Sequence, residues 1–412
     1  DVTAKFYGEV DIPVCTTNRI NTPEKGEEIL AAGKADMVSM ARPLLADSEF
    51  VRKAEQNRSD EINTCIACNQ ACLDHVFQLK RASCLVNPRA CHETELVLTV
   101  APVSRRVAVV GAGPAGLAAA TTAAKRGHKV TLFEADDKVG GQFNYAKRIP
   151  GKEEFYETLR YYQRQIEILG IELKLNTRVD ADVLGEQGFD DVIIATGVKP
   201  RTPRIDGIDH PKVLGYLDVL RHNKPVGQSV AVIGAGGIGF DVSEFLTHEF
   251  GHHPEGEQVS MADWQAEWGV DPQFDGPGGL AERKPTSSPR KIYLMQRKTS
   301  KVGGGLGKTS GWVHRNSLKH RDVEMLRGCS YEKIDDDGLH ITLSDKDGKV
   351  TESKVLAVDN VIICAGQEPF RALFDDLVNR GIQTHLIGGA DVAEELDAKR
   401  AIRQGTEVAA RI

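Results

Sequence analysis

The chain has 412 residues, 41% hydrophobic and 27% charged, with a formal net charge of −7, the balance of a globular protein of two or three domains. That acidic balance favours neither a nucleic acid nor a membrane surface as partner, and no stretch of about 18 uninterrupted apolar residues is present to cross a bilayer. Eight cysteines would suit disulfides in a small secreted protein, but five of them fall between Cys65 and Cys91 of a large chain without an export signal, which favours a cytoplasmic metal or redox site.

The start, Asp1-Val2-Thr3, is neither an initiator Met nor a basic-then-apolar leader, and reads as the edge of a fragment or processed product. Residues 11–15 read as a short buried strand. Thr22-Pro23 opens a helix that runs to Gly33, with Pro just after a capping Thr. Residues 35–40 form the next strand and 48–57 the next helix. This βαβα unit is too small to stand alone and reads as the end of a larger α/β array. Residues 59–104 carry the cysteines and a linker that ends at Pro102.

Residues 106–134 read as one βαβ unit: an apolar strand, a glycine turn, an alanine-rich helix and a second strand ending in Glu134. Residues 228–246 repeat that opening, so the chain holds two similar nucleotide folds. Residues 192–197 and 361–366 are apolar strands that end in small-residue turns. Residues 251–289, rich in Gly, Pro and polar residues, interrupt the second unit. Residues 330–360 alternate apolar and polar around two Asp-Gly turns and predict a β-meander, and 392–411 predict a helix.

Cys65, Cys68, Cys72 and Cys84 place four thiols within 20 residues at a 2-3-11 spacing. Four soft anionic ligands converging on a small cage suit an iron–sulfur cluster. Zinc is the competing reading, although structural zinc usually pairs two CxxC knuckles and only one is present. Cys15, Cys91, Cys329 and Cys364 read as packed or incidental thiols. His75 and His92 stand near the group in no more than a supporting place, since four cysteines already complete a site.

Gly111-Ala112-Gly113-Pro114-Ala115-Gly116 follows a strand and opens a helix. The first glycine makes the turn, the second admits a pyrophosphate against backbone N–H groups, and the third packs helix on strand. Glu134, at the end of the next strand, is placed to hold ribose hydroxyls. Gly140-Gly141-Gln142 allows close approach to a flavin, the plainer reading of Gln142 being a surface amide. The second loop, Gly234, Gly236 and Gly239, has no acid at the matching distance; its next strand ends in Arg297-Lys298. Cations there suit a 2′-phosphate and favour NADPH over NADH, the plainer reading being a solvated basic strand end.

The cysteine spacing and the paired glycine loops, together with Cys84-Leu85-Val86-Asn87-Pro88-Arg89-Ala90-Cys91, Ile149-Pro150-Gly151-Lys152-Glu153-Glu154-Phe155, the run 205–213, the run 335–339 and Glu267-Trp268-Gly269, resemble the iron–sulfur flavoenzymes related to old yellow enzyme. That family includes trimethylamine dehydrogenase, enoate reductase and the NADPH-dependent 2,4-dienoyl-CoA reductases of bacteria, and the last are the nearest likeness. The resemblance spans the whole chain. It implies an α/β architecture: the end of a TIM barrel that binds FMN (1–58), a 4Fe–4S segment and linker (59–104), an FAD domain (105–214 with 367–412) and an NADPH domain (215–366).

The resemblance also assigns residues. Arg19, Ala41 and Arg42 become FMN phosphate contacts, in keeping with phosphate binding after the last two barrel strands. Gly111, Gly113, Ala115, Gly116, Glu134, Gly141, Gln142, Ala195, Gly197 and Asp391 become FAD contacts. Gly234, Gly236, Gly239, Arg297 and Lys298 become NADPH contacts. Electrons would pass from NADPH to FAD, to the cluster, to FMN and to a 2,4-dienoyl-CoA in unsaturated fatty-acid β-oxidation. The acid/base pair and acyl-CoA pocket of the family lie in a part of the barrel outside this sequence, so no catalytic residue is expected here. The alternatives are an enoate or amine substrate, an NADPH–FAD–cluster unit donating to a separate protein, and a zinc-stapled nucleotide-binding protein without redox function.

Overall fold

The computed structural model describes residues 2–248, 260–393 and 397–412. The chain divides into two compact units: Asp1–Asn144, Glu154–Lys199 and Glu368–Ile412 form the first, and Tyr145–Glu153 with Pro200–Gln367 the second.

The first unit is built on five parallel strands in the order Thr384–Leu386, Asp191–Ile194, Arg106–Val110, Lys129–Phe133 and Glu172–Lys174. Val107, Ala108 and Val109 are fully buried, as continuous apolar strands covered on both faces must be. Helix Pro114–Lys125 packs against helix Ala398–Ala409; a Cβ on Gly405 would meet the Ala115 carbonyl oxygen at 2.3 Å, so only glycine lets the two helices approach this closely.

At the start of this unit, Cys15–Thr16 pairs in parallel with Met37–Val38. Helix Pro23–Ala31 between them begins as expected, the Thr22 hydroxyl accepting from the Lys25 N–H at 3.2 Å. The strand expected over residues 11–15 is shorter and is not buried: pairing starts only at Cys15, which is exposed, and Ile12 is 70% exposed. Pro13 has no N–H to give to a ladder, and among the described residues no third strand joins this pair. The helix expected over 48–57 spans Phe50–Glu55.

The second unit carries a matching sheet in the order Glu324–Leu326, Lys291–Met295, Ser229–Ile233, Asn360–Ile363 and Val213–Gly215, again all parallel. The expected meander is present as Cys329–Asp335, Gly338–Ser344 and Val350–Leu356, antiparallel throughout. The excursion expected over 251–289 lies partly outside the described residues, and its described part contains helix Met261–Trp268. The C-terminal helix expected over 392–411 is observed from Ala398 to Ala409, with residues 394–396 outside the described set. Among the described residues, no helix is long and apolar enough to cross a membrane.

Candidate functional site: two glycine cradles and a four-thiol recess

In the first unit, the Gly111 N–H donates to the Phe133 carbonyl at 2.8 Å, closing the turn from strand to helix. Gly111 adopts φ +103, and a Cβ on Gly116 would stand 1.8 Å from the Gly111 carbonyl oxygen. Gly113 caps helix Pro114–Lys125 and has space around it, its nearest neighbour being Gly141 Cα at 4.0 Å from an added Cβ. The loop therefore leaves room where a pyrophosphate needs it and is tight where the helix must pack.

The second glycine pair joins this cradle. Gly140 N–H donates to the Ala112 carbonyl at 2.8 Å, and Gly141 adopts φ +51 against Gly113. Gln142 is exposed on the same loop. Glu134 accepts from the Ala112 N–H at 2.8 Å through Oε2 and from the Asp136 N–H at 2.9 Å through Oε1. Ala195 is buried under Gly111, and Gly197 turns at φ +76 beside Gly389. Asp391 follows that Gly-Gly turn and accepts from Gln404 Nε2 at 2.7 Å, while Gln404 Oε1 accepts from the Gly388 N–H at 2.8 Å. A Cβ on Gly388 would touch Ala115 at 2.8 Å, so the Asp391 turn lies against the start of the glycine-loop helix. The ten residues expected at an FAD thus lie in one unit, on adjoining loops and the first turn of helix Pro114–Lys125.

The second unit repeats two backbone bonds of the cradle. Gly234 N–H donates to the Met295 carbonyl at 2.9 Å, and Cys364 N–H to Ile233 at 2.8 Å, as Ala195 N–H does to Val110 at 2.8 Å. A Cβ on Gly239 would meet the Gly234 carbonyl oxygen at 1.7 Å, whereas Gly236 faces open space. The pairing places Gln296 where the first unit has Glu134. Gln296 does not reach back to the glycine loop; its Nε2 donates to the carbonyls of Lys298 at 3.0 Å and Ser300 at 2.7 Å. Arg297 and Lys298 are exposed beside it.

Cys65, Cys68, Cys72 and Cys84 line one recess of about 320 Å³, its open mouth included, with Arg42, Ala67 and Asn69. Left-handed backbone at Ala67 (φ +51) and Asn69 (φ +61) lets this short segment wrap around it. Burial pushes the Cys68 and Cys84 thiols up to about 12, and raises Cys65, with the Arg42 charge acting downward and Glu154 upward on the last. A bound cation reverses that preference by taking the thiolates as ligands. Among the described residues, only Asp335, Asp337 and His340 bring three candidate ligand atoms within 4.8 Å of one another, so no three of these thiols come that close. Asp335 there bonds Lys333 at 2.7 Å and His340 at 2.9 Å, which ties a hairpin turn. His75 bonds the Arg81 carbonyl and His92 bonds Glu95; neither lines the thiol recess.

A second recess, of about 840 Å³ with its open mouth, lies at the ends of the Cys15–Thr16 and Met37–Val38 strands. Arg19, Ala41 and Arg42, the residues the resemblance assigns to an FMN phosphate, line it, and so do Cys65 and Ala67. The two recesses share Arg42, Cys65 and Ala67 as a common wall. Three partners were not anticipated from sequence. Asn69 accepts from Arg42 Nη1 at 2.6 Å, and Glu154 accepts from both Arg19 and Asn21. A polar residue between two candidate ligand cysteines was a readable signal for Asn69; nothing local marks Glu154.

The profile of the pyridine nucleotide-disulphide oxidoreductase family matches residues 105–400, and that of the NADH:flavin oxidoreductase / NADH oxidase family matches residues 1–61. The chain belongs to the pyridine nucleotide-disulphide oxidoreductase family, a match that supports sites for FAD and a nicotinamide dinucleotide. It is similar to a metal reductase of Desulforamulus reducens, 34% identical over 92% of this chain and 55% of the relative. It is also similar to a cinnamate reductase of Clostridium sporogenes, 35% identical over 62% of this chain and 37% of the relative. Among solved structures, a 2-naphthoyl-CoA reductase in complex with 2-naphthoyl-CoA superposes with TM-score 0.82 at 29% identity, over 98% of this chain and 55% of that one. The chain spans about half the length of the curated relatives it matches over most of its own length.

Proposed function

We propose that this chain is the electron-relay portion of an NADPH-dependent reductase acting on the conjugated double bonds of a 2,4-dienoyl-CoA thioester. In this reading, residues 1–58 close an FMN-binding barrel and 59–104 hold a 4Fe–4S cluster. Residues 105–214 with 367–412 form the FAD domain, and 215–366 the NADPH domain. The observation that carries it is the wall of Arg42, Cys65 and Ala67 shared by the thiol recess and the recess lined by Arg19 and Arg42.

When bound, the flavins and the cluster supply hydride and single-electron chemistry that no side chain of this chain supplies. The protein holds and orients them. Cys65, Cys68, Cys72 and Cys84 offer four soft ligands. A single zinc at about 2.3 Å from each sulfur needs neighbouring sulfurs roughly 3.8 Å apart. No three of the four thiols lie within 4.8 Å of one another, a closeness that a single zinc requires and a multi-iron cage does not. Arg19 and Arg42 supply positive charge for a flavin phosphate. Glu134 both steadies the first glycine loop and presents a carboxylate for ribose. In the second cradle an amide replaces that acid and two exposed cations follow, which supports a 2′-phosphate and hence NADPH.

The CoA thioester is supported by the likeness to 2-naphthoyl-CoA reductase, which extends over 98% of this chain. The likeness to cinnamate reductase supports a second reading, a free 2-enoate as substrate. The test is the full-length enzyme, analysed for iron, acid-labile sulfide and zinc, and assayed with NADPH against 2,4-dienoyl-CoA and cinnamate. Iron and sulfide with faster turnover of dienoyl-CoA are expected. One zinc per chain without labile sulfide would overturn the relay, and preference for cinnamate would establish the second reading.

A further inference from the structure

Glu154 occupies the N-cap of helix Phe155–Ile168 but makes no side-chain cap bond to that helix. Its carboxylate turns to the flavin-phosphate loop. Oε1 accepts from Asn21 Nδ2 at 2.9 Å and from Arg19 Nη2 at 3.1 Å. The same Asn21 nitrogen donates to the backbone carbonyl of Cys65 at 3.0 Å. The next turn of the helix holds the residues just before that cysteine: Thr64 Oγ1 donates to Glu157 Oε2 at 3.2 Å, and Arg160 Nη2 donates to the Ile62 carbonyl at 2.8 Å. One helix thus fixes the peptide of the first cysteine and two residues at the rim of the adjoining recess.

We propose that Glu154 is a positioning residue that sets the reduction potential of the four-cysteine centre, orienting the Cys65 peptide through Asn21 and placing a negative charge beside it. The inference rests on the relay reading above. Hydrogen bonds and charges around the ligands of a metal centre govern its potential, because an added electron is resisted by a nearby anion and favoured by a nearby cation. Arg19 is one opposing charge, but its side chain is 55% exposed against 28% for Glu154, so water screens that cation more than the anion. Arg42, which lines the thiol recess, acts on Cys65 in the opposite sense to Glu154, so Glu154 offsets that cation and holds the centre at a lower potential than Arg42 alone would set.

The experiment uses the full-length enzyme with its cofactors, and reads the centre's potential by an EPR-monitored redox titration alongside iron content and thermal midpoint. Glu154→Gln keeps an acceptor oxygen for Asn21 and Arg19 and removes only the charge. It is expected to shift the potential positive by roughly tenfold in the reduction equilibrium, about 59 mV for one electron, with iron content unchanged. Arg19→Gln is expected to shift it in the opposite direction by a smaller amount; a role in folding alone produces no such change of sign. Because Arg19 lies at the surface, that variant keeps the sign test available if Glu154→Gln loses iron. An unmoved potential, or two shifts of the same sign, overturns the role of Glu154. Absence of a cluster signal in the unaltered enzyme overturns the relay reading itself, and is seen before any variant is compared.

Discussion

Gly111 lies so close to Ala195 that a Cβ on Gly111 would stand 2.5 Å from the Ala195 carbonyl oxygen. The neighbouring Gly113 has φ −77 and no atom nearer than 4.0 Å to such a Cβ. The two glycines of one motif therefore answer to different demands, packing for the first and ligand access for the second. Gly111→Ala is expected to lower stability by about 2–3 kcal/mol or more, since both the backbone angle and the backbone contact resist it. Gly113→Ala should leave the thermal midpoint within about 2 °C of the parent while weakening FAD binding about tenfold or more. Calorimetry together with flavin content of the purified variants checks both; a destabilised Gly113→Ala would contradict the assignment.

The second cradle differs from the first mainly at the end of its neighbouring strand. There the exposed Arg297 and Lys298 stand beside Gln296, where Glu134 stands in the first. A charged hydrogen bond to phosphate is worth about 1.5–3 kcal/mol. Arg297→Ala should raise the KM for NADPH about tenfold or more and leave that for NADH nearly unchanged. Steady-state kinetics with both nucleotides measures this, and equal losses would remove Arg297 from the 2′-phosphate.

Loss of one ligand should empty the thiol recess. Cys72→Ser is expected to abolish acid-labile sulfide and most bound iron while FAD, held by loops of the strand–helix cradle, stays near one per chain. Iron, sulfide and flavin analyses on the same sample decide it. Retention of the cluster would remove Cys72 from the ligand set.

Glu244 gives the second unit a pH dependence of its own. It is buried on helix Gly237–Leu246 and its Oε1 accepts from Ser317 Oγ at 2.6 Å. Burial pushes the carboxyl up to about 7 from an ordinary 4.5, reinforced by the charges of Glu267 and Asp241, while Ser317 and Arg321 hold it down. A folded value above the unfolded one means that the folded state binds the proton more tightly. The stabilisation is complete below the ordinary value and is lost as pH rises through about 7. At about 1.4 kcal/mol per unit, the loss is on the order of 3 kcal/mol. Denaturant titrations across that range should show this fall, and Glu244→Gln, which keeps an acceptor for Ser317, should flatten it.

The features legible in the chain were those set by a few consecutive residues. The strand, glycine turn and helix at 106–125 and again at 229–246 could be read directly, because the need for glycine at Gly116 and Gly239 arises within a single turn. The meander over 329–356 was readable from alternation and Asp-Gly turns. The strand over 11–15 was misjudged for the same reason: apolar residues there look buried, yet burial depends on what covers them. Glu154 was illegible as a partner of the flavin loop, since its bond to Arg19 joins residues 135 apart.

The order of residues by itself determined two dinucleotide cradles, four cysteines in one short segment, and which cradle lacks an acid. These follow from sterics and side-chain chemistry that act locally. Tertiary structure alone decided that Cys65 and Arg42 would form one wall between two recesses, and that Asn21 and Glu154 would meet behind it. Such contacts depend on how helices pack onto separate strands, which no short stretch of chain specifies.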